Sequence, residues 1–343
     1  MPHAAFVPLR IFSSYTMLEG AIDPKVIAKQ AKALGFPAAA ITDRNGLYGS
    51  MAFSDACKSD GVQPIICAML GILRPGRPAN ASAVHDWLAL YAQDATGYDN
   101  LCALVSMAHL DRPLEEVPHV GLDVLEGRTE GLIALTAGGE GALARLFAED
   151  QPDAAYADRL QALFPDRLYI ELCRRLDPVE GKAEPHLLDL AYARDLPLVA
   201  TNPTCFTEPH FHAAHDVMLC IADSAYVDMP DRRTSSPDAW MKPTGEMKRL
   251  FEDLPEALAN TLVVAQRCAV AAPKRKPILP SLAGDIEGEA RMLRDLASAG
   301  LDARLAKLGI IDSAARQPYL DRLQFETDII IQMGFPGYFL IVA

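Results

Sequence analysis

The sequence predicts an α/β fold: a distorted seven-stranded (β/α) barrel followed by a mainly helical segment. Short apolar runs alternate with stretches of helical periodicity through about the first 220 residues, which is typical of a mostly parallel sheet or barrel. After about residue 230 the strand-like runs fade and helical patterns dominate. Because seven strand–helix alternations are one short of a regular eight-fold barrel, an open doubly wound sheet is the alternative architecture.

The predicted strands are short apolar runs separated by turn residues or helical stretches. They cover residues 6–12, 38–42, 64–72, 87–92, 131–136, 167–172 and 197–201. Between the first two, residues 24–34 are predicted as a helix that Asp23 caps, that Pro24 starts and that Gly35 ends. The other helices predicted in this part cover residues 49–57, 98–110, 140–149, 184–194 and 210–221.

The last third of the chain is predicted to be helical, over residues 244–252, 255–269, 286–308 and 315–333. The charged run at residues 273–277 is bracketed by prolines and indicates a linker at a domain edge. We therefore divide the chain into a first domain (1–270), a linker (271–285) and a second, truncated domain (286–343). The terminal run 338–343 has the β-propensity of a strand, so we expect the chain to be a fragment.

Composition excludes several classes of protein. With 32 Lys and Arg against 45 Asp and Glu, the net charge is −13, which is the wrong sign for a broad surface that binds a phosphate backbone. The seven cysteines show no C-x-x-C spacing, so they indicate a reducing compartment. Neither a signal peptide nor a membrane span is present, and we expect a cytoplasmic protein without membrane contacts. Phosphate-binding loops, nucleophile elbows and H-E-x-x-H motifs are also absent.

Eight segments, in order along nearly the whole chain, resemble the N-terminal polymerase-and-histidinol-phosphatase (PHP) domain of the alpha subunits of bacterial replicative DNA polymerase III (family C). They lie at residues 14–21, 41–43 with 45–49, 61–66, 96–101, 130–135, 198–202, 215–221 and 333–342. The resemblance implies a PHP barrel up to about residue 270, followed by the beginning of the polymerase palm. It also implies that the aspartates that hold the catalytic magnesium ions come later than this chain reaches.

Active PHP domains hold a metal cluster at the C-terminal ends of the strands and hydrolyse phosphoesters, so the resemblance implies nine ligand positions in this chain. These positions are Pro8, Arg10, Glu19, Arg44, Met69, Trp87, Gly138, Pro203 and Cys205. Only Glu19 and Cys205 could still bind a metal, because proline and aromatic carbons offer no lone pair and arginine is a permanent cation. A further family histidine is replaced by Phe12.

We therefore expect a degenerate cleft with no catalytic residue, no metal and no bound cofactor. Arg10 and Arg44 would replace the charge of the metals and pair with Glu19 or Asp43. Asp43 itself is expected to cap a turn, and His215 and Asp216 to pack or cap a helix, since no activating neighbour is evident for any of them.

The leading hypothesis for function is a metal-free scaffold in a replicative polymerase, with a docking surface for the proofreading exonuclease subunit. Its other partners would be the remainder of the alpha subunit and, through regions absent from this chain, primer–template DNA. The alternative is an active metal-dependent PHP phosphoesterase or 3′–5′ exonuclease. A third possibility, an amidohydrolase-like barrel unrelated to replication, leaves the segment at 333–342 unexplained.

Overall fold

The computed structural model describes residues 4–74, 85–111, 113, 115–275 and 279–343. The chain divides into two compact units, Met1–Pro273 and Lys274–Ala343. Part of the predicted linker run, residues 276 and 277, lies outside the described residues. None of the helices in the described ranges combines the length and the apolarity that crossing a membrane requires.

The first unit contains a six-stranded sheet whose strands follow one another in chain order, as counted over the described residues. The strands are β1 (Ala38–Arg44), β2 (Gln63–Leu73), β3 (His85–Ala92), β4 (Leu132–Leu135), β5 (Leu168–Cys173) and β6 (Leu198–Thr201). β3 runs antiparallel to both of its neighbours, and the other pairs are parallel. All six coincide with predicted strands to within a few residues, and only the direction of β3 departs from the expected pattern.

The predicted first strand, residues 6–12, is extended but forms no regular ladder. Pro8 has no N–H to donate, which interrupts a strand at that position. The segment nevertheless bonds to both edges of the sheet: Ala40 N donates to Pro8 O at 3.0 Å, and Thr204 N, just after β6, donates to Arg10 O at 2.9 Å. It therefore takes the place of the seventh strand and closes the barrel.

Helices alternate with the strands of the first unit and continue after the last strand. They are α1 (Pro24–Ala33), α2 (Ser50–Asp60), α3 (Ala95–Leu110), α4 (Ala142–Ala148), α5 (Ala154–Leu163), α6 (Pro178–Ala193), α7 (His212–Ala222), α8 (Thr244–Leu250) and α9 (Pro255–Arg267). The sequence did not predict α5, although the Asp153 side chain caps it by accepting from Tyr156 N at 3.0 Å. α6 begins six residues earlier than predicted, because Asp177 caps Val179 and Glu180.

Two apolar clusters lie on opposite faces of the strands. Ala39 and Ile41 of β1 pack outwards against the helices, whereas Ala38 and Ala40 pack inside the barrel. Since successive side chains of a strand alternate between its faces, Arg44 points inwards and its neighbour Asp43 points outwards. This alternation decides which charged side chains can meet in the cleft.

The second unit contains α10 (Ile286–Lys307), α11 (Ser313–Gln332) and α12 (Pro336–Val342). The prediction of a strand at residues 338–343 was wrong. Pro336 stands in the first turn of α12, where its fixed φ favours a helix and its missing N–H costs nothing. Leu340 of this helix is buried, so tertiary packing overrides the β-propensity of the apolar run.

Candidate functional site

The cleft at the C-terminal ends of the strands is centred on Arg10, whose side chain has no exposed surface. Its Nη1 donates to Glu171 Oε1 and its Nη2 to Glu140 Oε2, both at 2.7 Å. Burial alone would lower the pKa of Arg10, but the negative charges of Glu171 and Glu140 outweigh burial and raise it. The guanidinium is therefore a fixed positive charge inside the barrel.

Arg44 provides a second guanidinium beside the first. Its Nε donates to Glu19 Oε2 at 2.8 Å, and its Nη2 donates to Glu19 Oε1 and to Glu140 Oε1, each at 2.5 Å. Glu140 thus gives one oxygen to each arginine and bridges them. We call the five residues Arg10, Arg44, Glu19, Glu140 and Glu171 the cleft ion cluster.

Aromatic side chains flank the Arg44 guanidinium. Its central carbon lies 4.8 Å from the centroid of the Phe12 ring and 4.4 Å from that of Trp87. Such cation–π contacts are strongest where water is excluded. The buried Arg44 Nη1 has no hydrogen-bond partner among the described residues. The contacts with the two rings therefore offset the cost of burying this nitrogen. Phe12 and Trp87, two positions that the resemblance implies as metal ligands in active PHP domains, therefore hold an arginine in place here.

Three groups contact the Glu171 carboxylate in addition to Arg10. Ala137 N donates to its Oε2 at 3.0 Å, Thr201 Oγ1 donates to its Oε1 at 2.5 Å, and the Cys173 thiol lies 3.7 Å from the same oxygen. The side chain is fully buried. N–H and O–H groups already donate hydrogen bonds to the carboxylate oxygens of Glu171, so these oxygens are not free to coordinate a cation.

Asp43 does not join the cleft ion cluster, so of the two carboxylates expected as partners of the arginines, Glu19 and Asp43, only Glu19 pairs with one of them. It faces outwards and accepts from Ser13 N and Ser13 Oγ at 2.7 Å and from Thr16 Oγ1 at 2.8 Å. Burial raises its pKa, and the hydrogen bonds from Ser13 and Thr16 oppose that effect. Asp43 therefore fixes the loop that carries Glu19, in the capping role that the sequence indicated.

The expected pairing of Arg44 with Glu19 is confirmed by the hydrogen bonds above. Arg10, in contrast, pairs with Glu171 and Glu140, and neither was predicted from the sequence as its partner. Glu171 was recognisable in principle as the lone charge in an otherwise apolar strand, Leu168–Cys173. Glu140 was predicted as the start of a helix, but it lies in a short 3-10 turn, Gly138–Glu140, ahead of α4.

The remaining cleft positions do not add up to a set of metal ligands among the described residues. Pro8, Met69 and Pro203 are buried. Gly138 has φ +52°, and a Cβ there would lie 2.5 Å from Cys173 Sγ, so the fold excludes a side chain at this position. Burial raises the pKa of the Cys205 thiol to about 12, which keeps it protonated and unreactive near neutral pH.

His215 and Asp216 do not form a base and its orienting partner. The His215 ring contacts Ser235 Oγ and the Glu19 carbonyl oxygen, each at 2.7 Å, and burial lowers its pKa. Asp216 instead binds Arg232, with distances of 3.0 and 2.6 Å to the two guanidinium nitrogens. The packing role that the sequence indicated for His215 agrees with its burial.

A cavity of about 430 Å³ opens at the mouth of this cleft, lined by Glu19, Arg44, Glu140, Arg175, Cys205 and His215 among others. Within the described ranges, no three His, Cys, Asp or Glu side chains are grouped so that they could hold a metal ion. The donor set that a PHP metal centre requires therefore does not fit these residues. Carboxylates are present, but guanidinium groups occupy the space between them.

Comparison with known proteins gives two family matches: residues 8–175 match the PHP domain, and residues 291–343 match the bacterial DNA polymerase III alpha NTPase domain. The chain is 45% identical to DNA polymerase III subunit alpha of Caulobacter vibrioides, over 98% of this chain and 30% of that protein. It is 37% identical to DNA polymerase III subunit alpha of Escherichia coli O157:H7, over 100% of this chain and 30% of that protein. The chain thus spans about 30% of the length of these curated relatives.

Among solved structures, a protein from Bifidobacterium adolescentis described as a metal-dependent phosphoesterase is similar with a TM-score of 0.42 and 13% sequence identity. The similarity covers 57% of this chain and 86% of that one.

Proposed function

Because the chain belongs to the family of bacterial DNA polymerase III alpha subunits, we propose that its barrel is a metal-free scaffold within a replicative DNA polymerase. In this proposal the barrel stabilises the alpha subunit and provides a docking surface for the proofreading exonuclease subunit. DNA synthesis itself, with its magnesium ions and primer–template DNA, belongs to parts of the polymerase beyond this chain.

The observation that carries the proposal is the cleft ion cluster. Arg10 and Arg44 lie between Glu19, Glu140 and Glu171, so the carboxylates that could bind a cation are already paired. A divalent ion about 4 Å from one guanidinium would be repelled by roughly 8 kcal/mol at an effective dielectric constant of about 20. Neither arginine can lose its charge by deprotonation at neutral pH.

The cluster also explains how the barrel retains its shape without metal. It links residues from the opening segment, from the loop that carries Glu19, from β1, from the turn before α4 and from β5. A metal centre would tie together the same ends of the strands. The ion pairs therefore supply a cross-link between distant parts of the barrel that needs no cofactor.

The competing function is an active metal-dependent phosphoesterase or 3′–5′ exonuclease, which requires stoichiometric metal. The chain is purified after exposure to zinc or manganese, dialysed, and analysed by elemental mass spectrometry, and hydrolysis of a phosphodiester reporter is measured in parallel. We expect substoichiometric metal and no hydrolysis above a blank. Tightly bound stoichiometric metal, together with hydrolysis that a chelator abolishes, would overturn the proposal.

The docking function has its own test. The chain and the exonuclease subunit of the same organism are mixed at micromolar concentration and separated by size-exclusion chromatography, with each protein alone as the control. We expect co-elution in a common earlier peak. Separate elution at this concentration would contradict the docking function, whatever the metal analysis shows.

A further inference from the structure

Two arginines at the end of the barrel opposite the cleft have no carboxylate partner. Arg167 directly precedes β5, and Arg267 is the last residue of α9. Neither forms an ion pair with a described residue, and in the first unit Arg128 is the only other described arginine without one. Guanidinium groups without a carboxylate can bind an anion from solution.

Tyr169 connects the two arginines. It follows Arg167 by two residues, so the two side chains lie on the same face of the strand. Arg267 Nη1 donates to the Tyr169 hydroxyl oxygen at 2.9 Å, and its guanidinium carbon lies 5.9 Å from the centroid of the tyrosine ring. Arg167 Nη1 donates to Leu132 O at 2.9 Å and to Thr129 O, which holds it at the start of β4. We call Arg167, Tyr169 and Arg267 the basal arginine site.

The end of α9 is fixed to the same end of the barrel. Gln63, the first residue of β2, donates through Nε2 to Ala265 O at 2.6 Å and to Cys268 O at 2.7 Å. These two acceptors flank Arg267 in the chain. The arginine is therefore positioned before any ligand arrives, so that less conformational freedom is lost on binding.

The basal arginine site has hydrogen-bond donors that no described residue uses. Both arginines donate through Nη1 in the bonds above, whereas their Nε and Nη2 atoms have no acceptor among the described residues. These nitrogens are not enclosed by the protein, so solvent or a ligand can reach them. The Tyr169 hydroxyl accepts from Arg267 but donates to no described acceptor, although the residue is only 3% exposed. An anion with several oxygens would accept from all three side chains.

The charges of the site indicate which anion fits it. Burial and the positive charge of Arg267 lower the pKa of Arg167, and the negative charges of Glu130 and Asp166 oppose this effect. An anion between the arginines would replace their repulsion with two attractions. A phosphate group carries a charge of about −1.5 to −2 at pH 7 and has several acceptor oxygens, whereas a carboxylate carries a single charge. Phosphate therefore matches the two cations better than a carboxylate does.

We propose that the basal arginine site binds a phosphate group, either inorganic phosphate or the phosphate of a nucleotide. Arg167 and Arg267 donate to its oxygens through their unused nitrogens, and the Tyr169 hydroxyl donates a further hydrogen bond. The site lies at the opposite end of the barrel from the cleft ion cluster and uses none of its residues. It is also local, which is compatible with the net charge of −13.

The test is isothermal titration calorimetry of the full chain with inorganic phosphate, at an ionic strength kept constant with sodium chloride. We expect saturable binding of one phosphate per chain. Arg267→Gln should raise the Kd at least about fivefold, because it removes one charge and a forked donor. Arg291→Gln is the matched control, since Arg291 is an exposed arginine of α10 that also lacks an ion pair with a described residue; its Kd should stay within about twofold of wild type.

Two conservative variants keep the test informative if Arg267→Gln does not fold. Tyr169→Phe keeps the buried ring and removes the hydroxyl, and it should raise the Kd about threefold. Arg267→Lys keeps the charge but loses the forked geometry, so it should bind more weakly than wild type and more tightly than Arg267→Gln.

Titration with a deoxynucleoside monophosphate identifies the source of the phosphate. A lower Kd than that of inorganic phosphate would mean that a nucleotide is the ligand, and an equal Kd would mean that the phosphate group alone is recognised. The inference is overturned if phosphate gives no saturable heat beyond that of chloride. It is also overturned if Arg267→Gln and Tyr169→Phe bind phosphate as tightly as wild type, because the anion then lies elsewhere on the chain.

Discussion

Arg10 and Glu171 form an ion pair of 2.7 Å in which neither side chain has any exposed surface. The two residues are 161 positions apart in the sequence, so the pair joins the opening segment to β5. Desolvating both charges is costly, and their mutual attraction offsets that cost only while both are present. The pair therefore makes the barrel more sensitive to losing one partner than to losing both.

Removing one member of this pair should destabilise the barrel strongly. Glu171→Leu leaves Arg10 with Glu140 as its remaining carboxylate, and we expect the free energy of unfolding to fall by about 3–5 kcal/mol. The double variant Arg10→Met/Glu171→Leu should recover part of that loss, because no unpaired charge remains buried. Urea unfolding followed by tryptophan fluorescence measures both. A double variant that is no more stable than Glu171→Leu would contradict the coupling.

The planar shape of the Arg44 guanidinium should matter as well as its charge. Lysine keeps the charge but cannot bind Glu19 with two nitrogens or lie flat between Phe12 and Trp87, so Arg44→Lys should cost about 1–3 kcal/mol in the free energy of unfolding. Arg322→Lys, in an exposed pair with Glu326, is the control and should cost no more than about 0.5 kcal/mol. Equal effects in the two variants would show that the geometry around Arg44 is unimportant.

Glu140, the carboxylate that bridges Arg10 and Arg44, should make the free energy of unfolding depend on pH. Burial alone would raise the pKa of Glu140, but the positive charges of Arg44, Arg10 and Arg175 outweigh burial and hold the pKa well below its ordinary value of 4.5. A carboxylate whose pKa is lower in the folded state stabilises the fold above its unfolded pKa, and this stabilisation is lost as pH falls towards the folded pKa.

Glu140→Gln should therefore be less stable than wild type at neutral pH, and the difference should shrink as the pH falls below about 4.5. Urea midpoints measured across this range test the expectation. Glu326→Gln, which removes a carboxylate from an exposed pair, is the control for a change in net charge. The role of Glu140 would be contradicted if the difference in urea midpoint between wild type and Glu140→Gln stayed constant down to the lowest pH at which both proteins fold.

The sequence was sufficient to predict the barrel strands because each is a short apolar run between turn residues. It was insufficient for α12, where an apolar run with β-propensity forms a helix once Pro336 starts it and Leu340 is buried. The direction of β3 was not predictable either, since the alternation of side chains is the same in parallel and antiparallel strands.

In the candidate site too, some residues could be predicted from the sequence, whereas contacts between residues far apart in the sequence could not. Arg10 and Arg44 were identified from their positions in family motifs, and Glu19 as the partner of Arg44 was found correctly. Glu140 and Glu171 were missed because their contacts with Arg10 span 130 and 161 residues of sequence. Only the folded barrel shows that one carboxylate serves two arginines.

Gly138, one of the nine implied ligand positions, gives the last prediction. Its φ of +52° is unfavourable for any side chain, and an added Cβ would lie 2.5 Å from Cys173 Sγ. Gly138→Ala should therefore lower the free energy of unfolding by at least about 1–2 kcal/mol. Adding Cys173→Ala should remove the clash with the thiol and recover that share of the loss, but the share that comes from the positive φ should remain. Gly181→Ala, in α6 with nothing within 4 Å of the added Cβ, is the matched control and should be neutral or stabilising. Thermal unfolding of the four proteins would refute this account if Gly138→Ala melted at the wild-type temperature.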